Sequence, residues 1–148
     1  MVKKSIGLIS ASCFLFAACG GVQSKVKKGE VVQTIDQQAV AGGYIEAIGI
    51  GGADPSLPNT TQRRSLSRDA AILKAQFEML SMVKKVEVEG GTTVEDAISK
   101  DSALESRLKE TLSGAEVVKT EWTNDDGCVV TLRIPKKRLE ALMGVKFK

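Results

Sequence analysis

The residues able to do chemistry in this 148-residue chain are few, and their types exclude more than they permit. There is no histidine, which removes Ser-His and Cys-His catalysis, histidine-ligated metals and histidine pH sensing together. Cys128 lies in an apolar alternating run and would need a base to act as a nucleophile; no neighbouring pattern identifies one. A buried strand cysteine otherwise behaves as a small apolar residue. Asp125-Asp126-Gly127 is open to carboxylate or calcium chemistry, but two acids before a glycine more often make a hairpin turn. Gly49-Ile50-Gly51-Gly52 is an incomplete phosphate cradle, because Asp54 takes the third glycine position of G-x-G-x-x-G. It reads instead as a place where backbones approach closely. Arg63, Arg64 and Arg68 fall near an expected helix start, where positive charge opposes the helix dipole. They face either an acidic partner, a glycan or a lipid head group, or simply solvent, where such charges contribute little.

The remaining reactive residue is Cys19. Lys3 and Lys4, the uncharged run from Ile6 to Phe16, and the small residues at its end read together as an export signal. The run is too short for an ordinary membrane-crossing helix, which needs about 20 apolar residues. Leu15-Phe16-Ala17-Ala18-Cys19-Gly20 resembles the lipobox of bacterial lipoproteins, except that Phe16 stands three before the cysteine where leucine is usual. That resemblance implies a lipoprotein signal peptide over residues 1–18 and lipidation of Cys19, with a diacylglyceryl thioether and palmitate-type chains as the membrane anchor. Ordinary cleavage after Gly20, using Ala18-Cys19-Gly20, is the alternative. At about 0.8 kcal/mol per buried methylene, one chain anchors marginally and two or three hold essentially permanently. Gly20 in place of the aspartate of inner-membrane retention implies, by the same analogy, the outer membrane.

With the signal removed and Cys19 acylated, Cys128 is the one thiol left. It can build neither an internal disulfide nor a thiolate zinc site, and no cofactor or metal is expected. Some 130 residues then remain, an ordinary size for one domain. The precursor's charge of +3 includes Lys3 and Lys4, so the rest is close to neutral. A nucleic-acid binder would show a basic surplus, and no nucleic-acid partner is expected.

These residues need elements to position them. Residues 19–43 read as a lipidated N-terminus and tether, with Gly20-Gly21, basic Lys25, Lys27 and Lys28, and Gly29. A flexible segment of that length spans about 25 Å on average. The lysines lie against anionic lipid or solvate a linker, and Glu30–Val40 suits a strand or a short helix equally. The domain covers residues 44–148. Tyr44–Ile50 reads as a strand, and Asn59, Thr60 and Thr61 as possible helix caps. Over Gln62–Val83, Leu66, Ala70, Leu73, Phe77 and Leu80 follow a 4-3-4-3 spacing that predicts a buried stripe, flanked by Ile72, Gln76, Met79 and Val83. Lys84–Glu89 alternates like a half-buried strand through Val86 and Val88. Capping boxes are expected at Thr92 with Glu95 and at Ser102 with Glu105, so a second helix starts near Val94 or restarts near Ser102. Glu116–Trp122 and Cys128–Ile134 read as a hairpin with Cys128, Val130, Leu132 and Ile134 inward, and a short helix follows Pro135.

The expected order is strand-helix-strand-helix-strand-strand-helix: an α+β domain with one mainly antiparallel sheet of about four strands and two longer helices on one face. From Tyr44 to Leu142 the chain resembles the LPP-twenty lipoprotein family, which has flagellar members. The likeness rests on Ala47-Ile48-Gly49-Ile50-Gly51, on the helix with Ala70, Ala71, Ala75 and Leu80, on the Val86–Val94 stretch, and on Val117-Val118-Lys119-Thr120-Glu121-Trp122 ahead of Asp126-Gly127. It implies a non-enzymatic lipoprotein on the outer membrane, with no catalytic residues. It also implies a structural or assembly role in the cell envelope or flagellar base, with self-association or envelope and flagellar protein partners. A periplasmic binding module for a small ligand or wall glycan is the competing expectation.

Overall fold

A computed structural model of the chain describes residues 22–32, 40, 41 and 43–148. Cys19 and the whole signal segment lie outside the described residues. The elements run β1 (Val26–Lys27), β2 (Glu30–Val31), β3 (Val40–Ala41), β4 (Tyr44–Gly51), α1 (Thr60–Lys84), α2 (Val94–Lys100), α3 (Ser102–Ser113), β5 (Glu116–Trp122), β6 (Cys128–Pro135) and α4 (Lys136–Met143). The class is α+β, as expected. Three long strands, β4, β6 and β5, make the antiparallel sheet in that order, and the two-residue β3 pairs with the free edge of β4.

The sheet of about four strands expected from the alternation counts Lys84–Glu89 as a member, and this stretch is not in it. The helix runs on through Lys84, and only isolated bridges follow, Glu87 with Thr93 and Val88 with Phe147. Val86 and Val88 still point inward while Lys85 and Glu87 are exposed. The alternation is satisfied inside a turn, with Val94 N donating to Val86 O, and Gly90 and Gly91 take the positive φ values of 110° and 79° that it needs.

Along β4 the residues facing α1 are Ile45, Ala47, Gly49 and Gly51. A Cβ on Gly49 would stand 1.9 Å from the Ala71 carbonyl oxygen, and one on Gly51 1.9 Å from that of Ser67. Backbone therefore packs on backbone, as the glycine spacing suggested. Only a helix face of small residues fits so near: Ser67, Ala71 and Ala75 are buried there, with Met79 and Val83 continuing the line where the strand recedes. This reverses the expected orientation. Leu66, Leu73 and Phe77, from the stripe predicted to be buried, are 55, 66 and 65% exposed, and of that stripe only Leu80 packs against the core.

The inward face of β6, Cys128, Val130, Leu132 and Ile134, completes the floor of the core, as its alternation predicted. Leu104, Leu108 and Leu112 of α3, Val94 and Ile98 of α2 and Leu139 of α4 close it from the same side. Fully burying each of the larger of these side chains contributes about 1.5–3 kcal/mol. The second helix is in fact two. Asp101 ends α2 and caps α3, its side chain accepting from Ala103 N, while Thr93 and Asp96 form the capping box one residue beyond the expected one. In α1, Asn59 Oδ1 accepts from Thr61 N at 2.8 Å, the cap that the sequence suggested.

Candidate functional site

The densest set of charged side chains gathers where the N-terminal turns of α1 meet the β5–β6 turn. Asp126 takes a left-handed backbone, φ 64°, and aims its carboxylate at the helix. Arg63 Nε donates to Oδ2 at 3.0 Å and Arg64 Nε to Oδ1 at 2.8 Å. The Asp126 carbonyl accepts from Ser67 Oγ at 2.8 Å. Arg63 also reaches Leu57 O at 2.7 Å and Thr60 Oγ1 at 3.0 Å, tying the loop before the helix into the same knot. The Arg64 guanidinium lies over the Trp122 ring, 5.3 Å from its centre, and the ring packs against the core at the sheet's end.

Two of the three arginines read as a patch for a partner or for solvent are thus spent within the fold, whereas Arg68 forms no ion pair among the described residues. Asp126 is also the acid that α1 lacks in its own first turn, where no acidic residue stands. A helix opening on two arginines without a local acid was the sequence signal for this contact.

The chemistry of the cluster is that of a clasp. The hydrogen bonds from Arg64 and then Arg63 hold the Asp126 carboxyl below the usual carboxylate range, so it stays ionised at neutral pH. Burial pushes the Cys128 thiol up, only partly offset by the Arg68 charge. A protonated, fully buried thiol is a poor nucleophile. Asp125 accepts from Thr123 Oγ1, an ordinary turn contact. Among the described residues, no group of three or more Cys, Asp or Glu could hold a metal ion. The glycine loop at residues 49–52 is filled by α1 and leaves no cradle at Gly49 or Gly51 for a phosphate.

A second polar site joins the N-terminal segment to β5. Burial pushes the Glu121 carboxyl up, but the Ser24 hydroxyl and the N–H groups of Lys25 and Val26 outweigh it and hold the group below its usual range. Lys119 Nζ donates to Val22 O at 3.2 Å, and Asn124 N donates to Gly29 O at 2.8 Å. Within the span read as a tether, residues 26–31 therefore form a small hairpin, β1 against β2, docked on the sheet's end. A shallow open cleft of about 360 Å³ lies along this seam, with Glu30, Thr123, Asn124 and Asp125 in its wall.

Comparison with known proteins returns no match: no family model fits the chain, and neither a curated protein nor a solved structure resembles it. Among the described residues, no helix is long and apolar enough to cross a membrane.

Proposed function

We infer that this chain is a non-enzymatic lipoprotein of the outer membrane. Acyl chains on Cys19 hold it there, and its folded domain serves assembly in the cell envelope, with the flagellar base as one setting. The observation that carries this reading is Leu15-Phe16-Ala17-Ala18-Cys19-Gly20 directly behind a basic start and an apolar run. The state of the groups that could have argued for catalysis supports it. Asp126 is locked between two guanidinium groups, and Cys128 is sealed in the core.

Mass spectrometry of the native protein tests it directly. The expected species begins at Cys19 and carries a diacylglyceryl group and further acylation, and Cys19→Ala releases the chain from the outer-membrane fraction. An unmodified amino end at Gly21 would overturn the reading. The cleft beside Asn124 favours a second reading, a periplasmic module that binds a small ligand or a wall glycan. Chemical-shift changes confined to Thr123–Asp125 on adding soluble wall fragments would favour that module.

A further inference from the structure

We propose that the outward crest of α1 is a pairing surface, on which a second copy of this chain lays the same helix parallel to the first. Leu66, Ala70, Leu73 and Phe77 lie on one line along the helix, turned away from the buried line of Ser67, Ala71 and Ala75, and Leu80 at its end is half-buried against the core. Leu66, Leu73 and Phe77 are each more than half exposed. Scattered apolar residues on a surface are ordinary, but an aligned row of them is not. Its exposed part, Leu66 to Phe77, rises about 17 Å, at 1.5 Å per residue. The helix cannot turn to hide it, because Gly49 and Gly51 accept only the small face.

The 4-3-4-3 spacing is that of a two-helix seam, with Leu66, Leu73 and Leu80 in one set of core positions and Ala70 and Phe77 in the other. Arg63 and Lys84 bound the row, and each is drawn to an acid of its own copy, Asp126 and Glu105. The charges beside the row choose the occupant and its direction. Asp69 stands on one flank and Lys74 on the other, five residues later. Parallel pairing brings Asp69 of each copy beside Lys74 of the other, twice by symmetry. Antiparallel pairing centred on the row would instead set Lys74 against its own symmetry mate. A helix that lies on lipid would carry a strongly basic polar face. Here one acid and one base flank the row, so it complements itself. Lys74 is already at the seam: it bridges Glu78 at 2.7 Å and sits 5.4 Å from the centre of the Phe77 ring.

This deepens the assembly reading above by giving it a surface, and the test separates the two. Leu66→Cys, Leu73→Cys and Phe77→Cys are made singly in the full chain, purified in detergent and treated with a short bismaleimide. The parent chain sets the background for its own cysteines, and Glu110→Cys, on the exposed side of α3, sets it for crowding within a micelle. The expected result is covalent dimer well above both backgrounds at all three positions. Linking at position 73 alone would mean antiparallel helices and would overturn the parallel pairing. No linking from a chain that still sediments as an oligomer would overturn this surface and leave the assembly reading standing. A strict monomer would remove both. As a second measurement, Phe77→Glu is expected to weaken pairing at least about a hundredfold. Its circular dichroism and melting, read below the pairing concentration, should stay as in the parent. Asp69→Lys is expected to weaken pairing and Lys74→Asp in the same chain to restore it; absence of that rescue would overturn the parallel register.

Discussion

Along α1, the side turned to the sheet carries Ser67, Ala71 and Ala75, and the side turned outward carries Leu66, Leu73 and Phe77. By transfer free energy the assignment should run the other way, since a leucine gains far more from leaving water than an alanine does. Shape decides against it. Two glycines draw β4 so close that a large side chain on the facing helix would have no room. The fold thus exchanges side-chain burial at this contact for close backbone packing, and the core takes its large residues elsewhere, from α3 and β6. An apolar stripe identifies a helix, but the neighbouring strand decides which way it turns.

Breaking the close contact should have the largest effect. Gly49→Val or Gly51→Val forces atoms onto the carbonyls of Ala71 or Ser67, and rigid backbone cannot yield as a flexible side chain would. The cost should reach or exceed the upper end of the ~1–3 kcal/mol typical of overpacking, read as a fall in the urea midpoint. A midpoint within error of the parent would mean that the helix stands off the sheet.

The two helix faces can be set against each other directly. Ala75→Leu, on the inner face, should destabilise the domain by about 1–3 kcal/mol, although it adds apolar surface. Leu73→Ala, on the outer face, should change the stability of the unpaired domain by no more than about 0.5 kcal/mol, although it removes apolar surface. Denaturation of both variants at low protein concentration checks the pair, and equal effects would erase the distinction between the faces.

The clasp that ties the start of the helix to the β5–β6 turn should be the smallest lever, and it is pH-dependent. Asp126 is held below its ordinary value of 3.8, so its contribution is present above that pH and is lost as pH falls through the folded value. The thermal midpoint should decline from about pH 4 downward. Asp126→Asn keeps a residue that tolerates φ 64° and should flatten part of that acid decline while lowering the midpoint at neutral pH. An unchanged acid slope would mean that the two arginines contribute nothing through this carboxylate.

Much of the architecture was legible because it obeys local rules. The alternation in Cys128–Ile134 names the inward face of β6, Asn59 caps α1, and the glycines of β4 announce a close neighbour. What escaped depends on partners distant in the chain. The inner line of α1 contains a serine and two alanines, which no hydrophobicity pattern singles out, and Gly49 and Gly51 were not matched to it. Val86 and Val88 alternate as a strand would, but the chain turns back at Gly90-Gly91, and the stretch makes only isolated bridges, Glu87 to Thr93 and Val88 to Phe147. The Asp126 clasp joins residues about sixty positions apart, and only the missing acid in the first turn of α1 hinted at it.

The N-terminal hairpin bears on where the domain can go. Lys119 grips the Val22 carbonyl, and Glu121 grips the amides of Lys25 and Val26. With the proposed acyl chains on Cys19, three residue steps separate the lipid from the first docked residue, a reach of at most about 11 Å at ~3.6 Å per residue. Anchored in that way, a domain on so short a leash would not wander far from the bilayer. It would ride against the leaflet with the β5 end downward, and whatever it joined would be met in two dimensions rather than three.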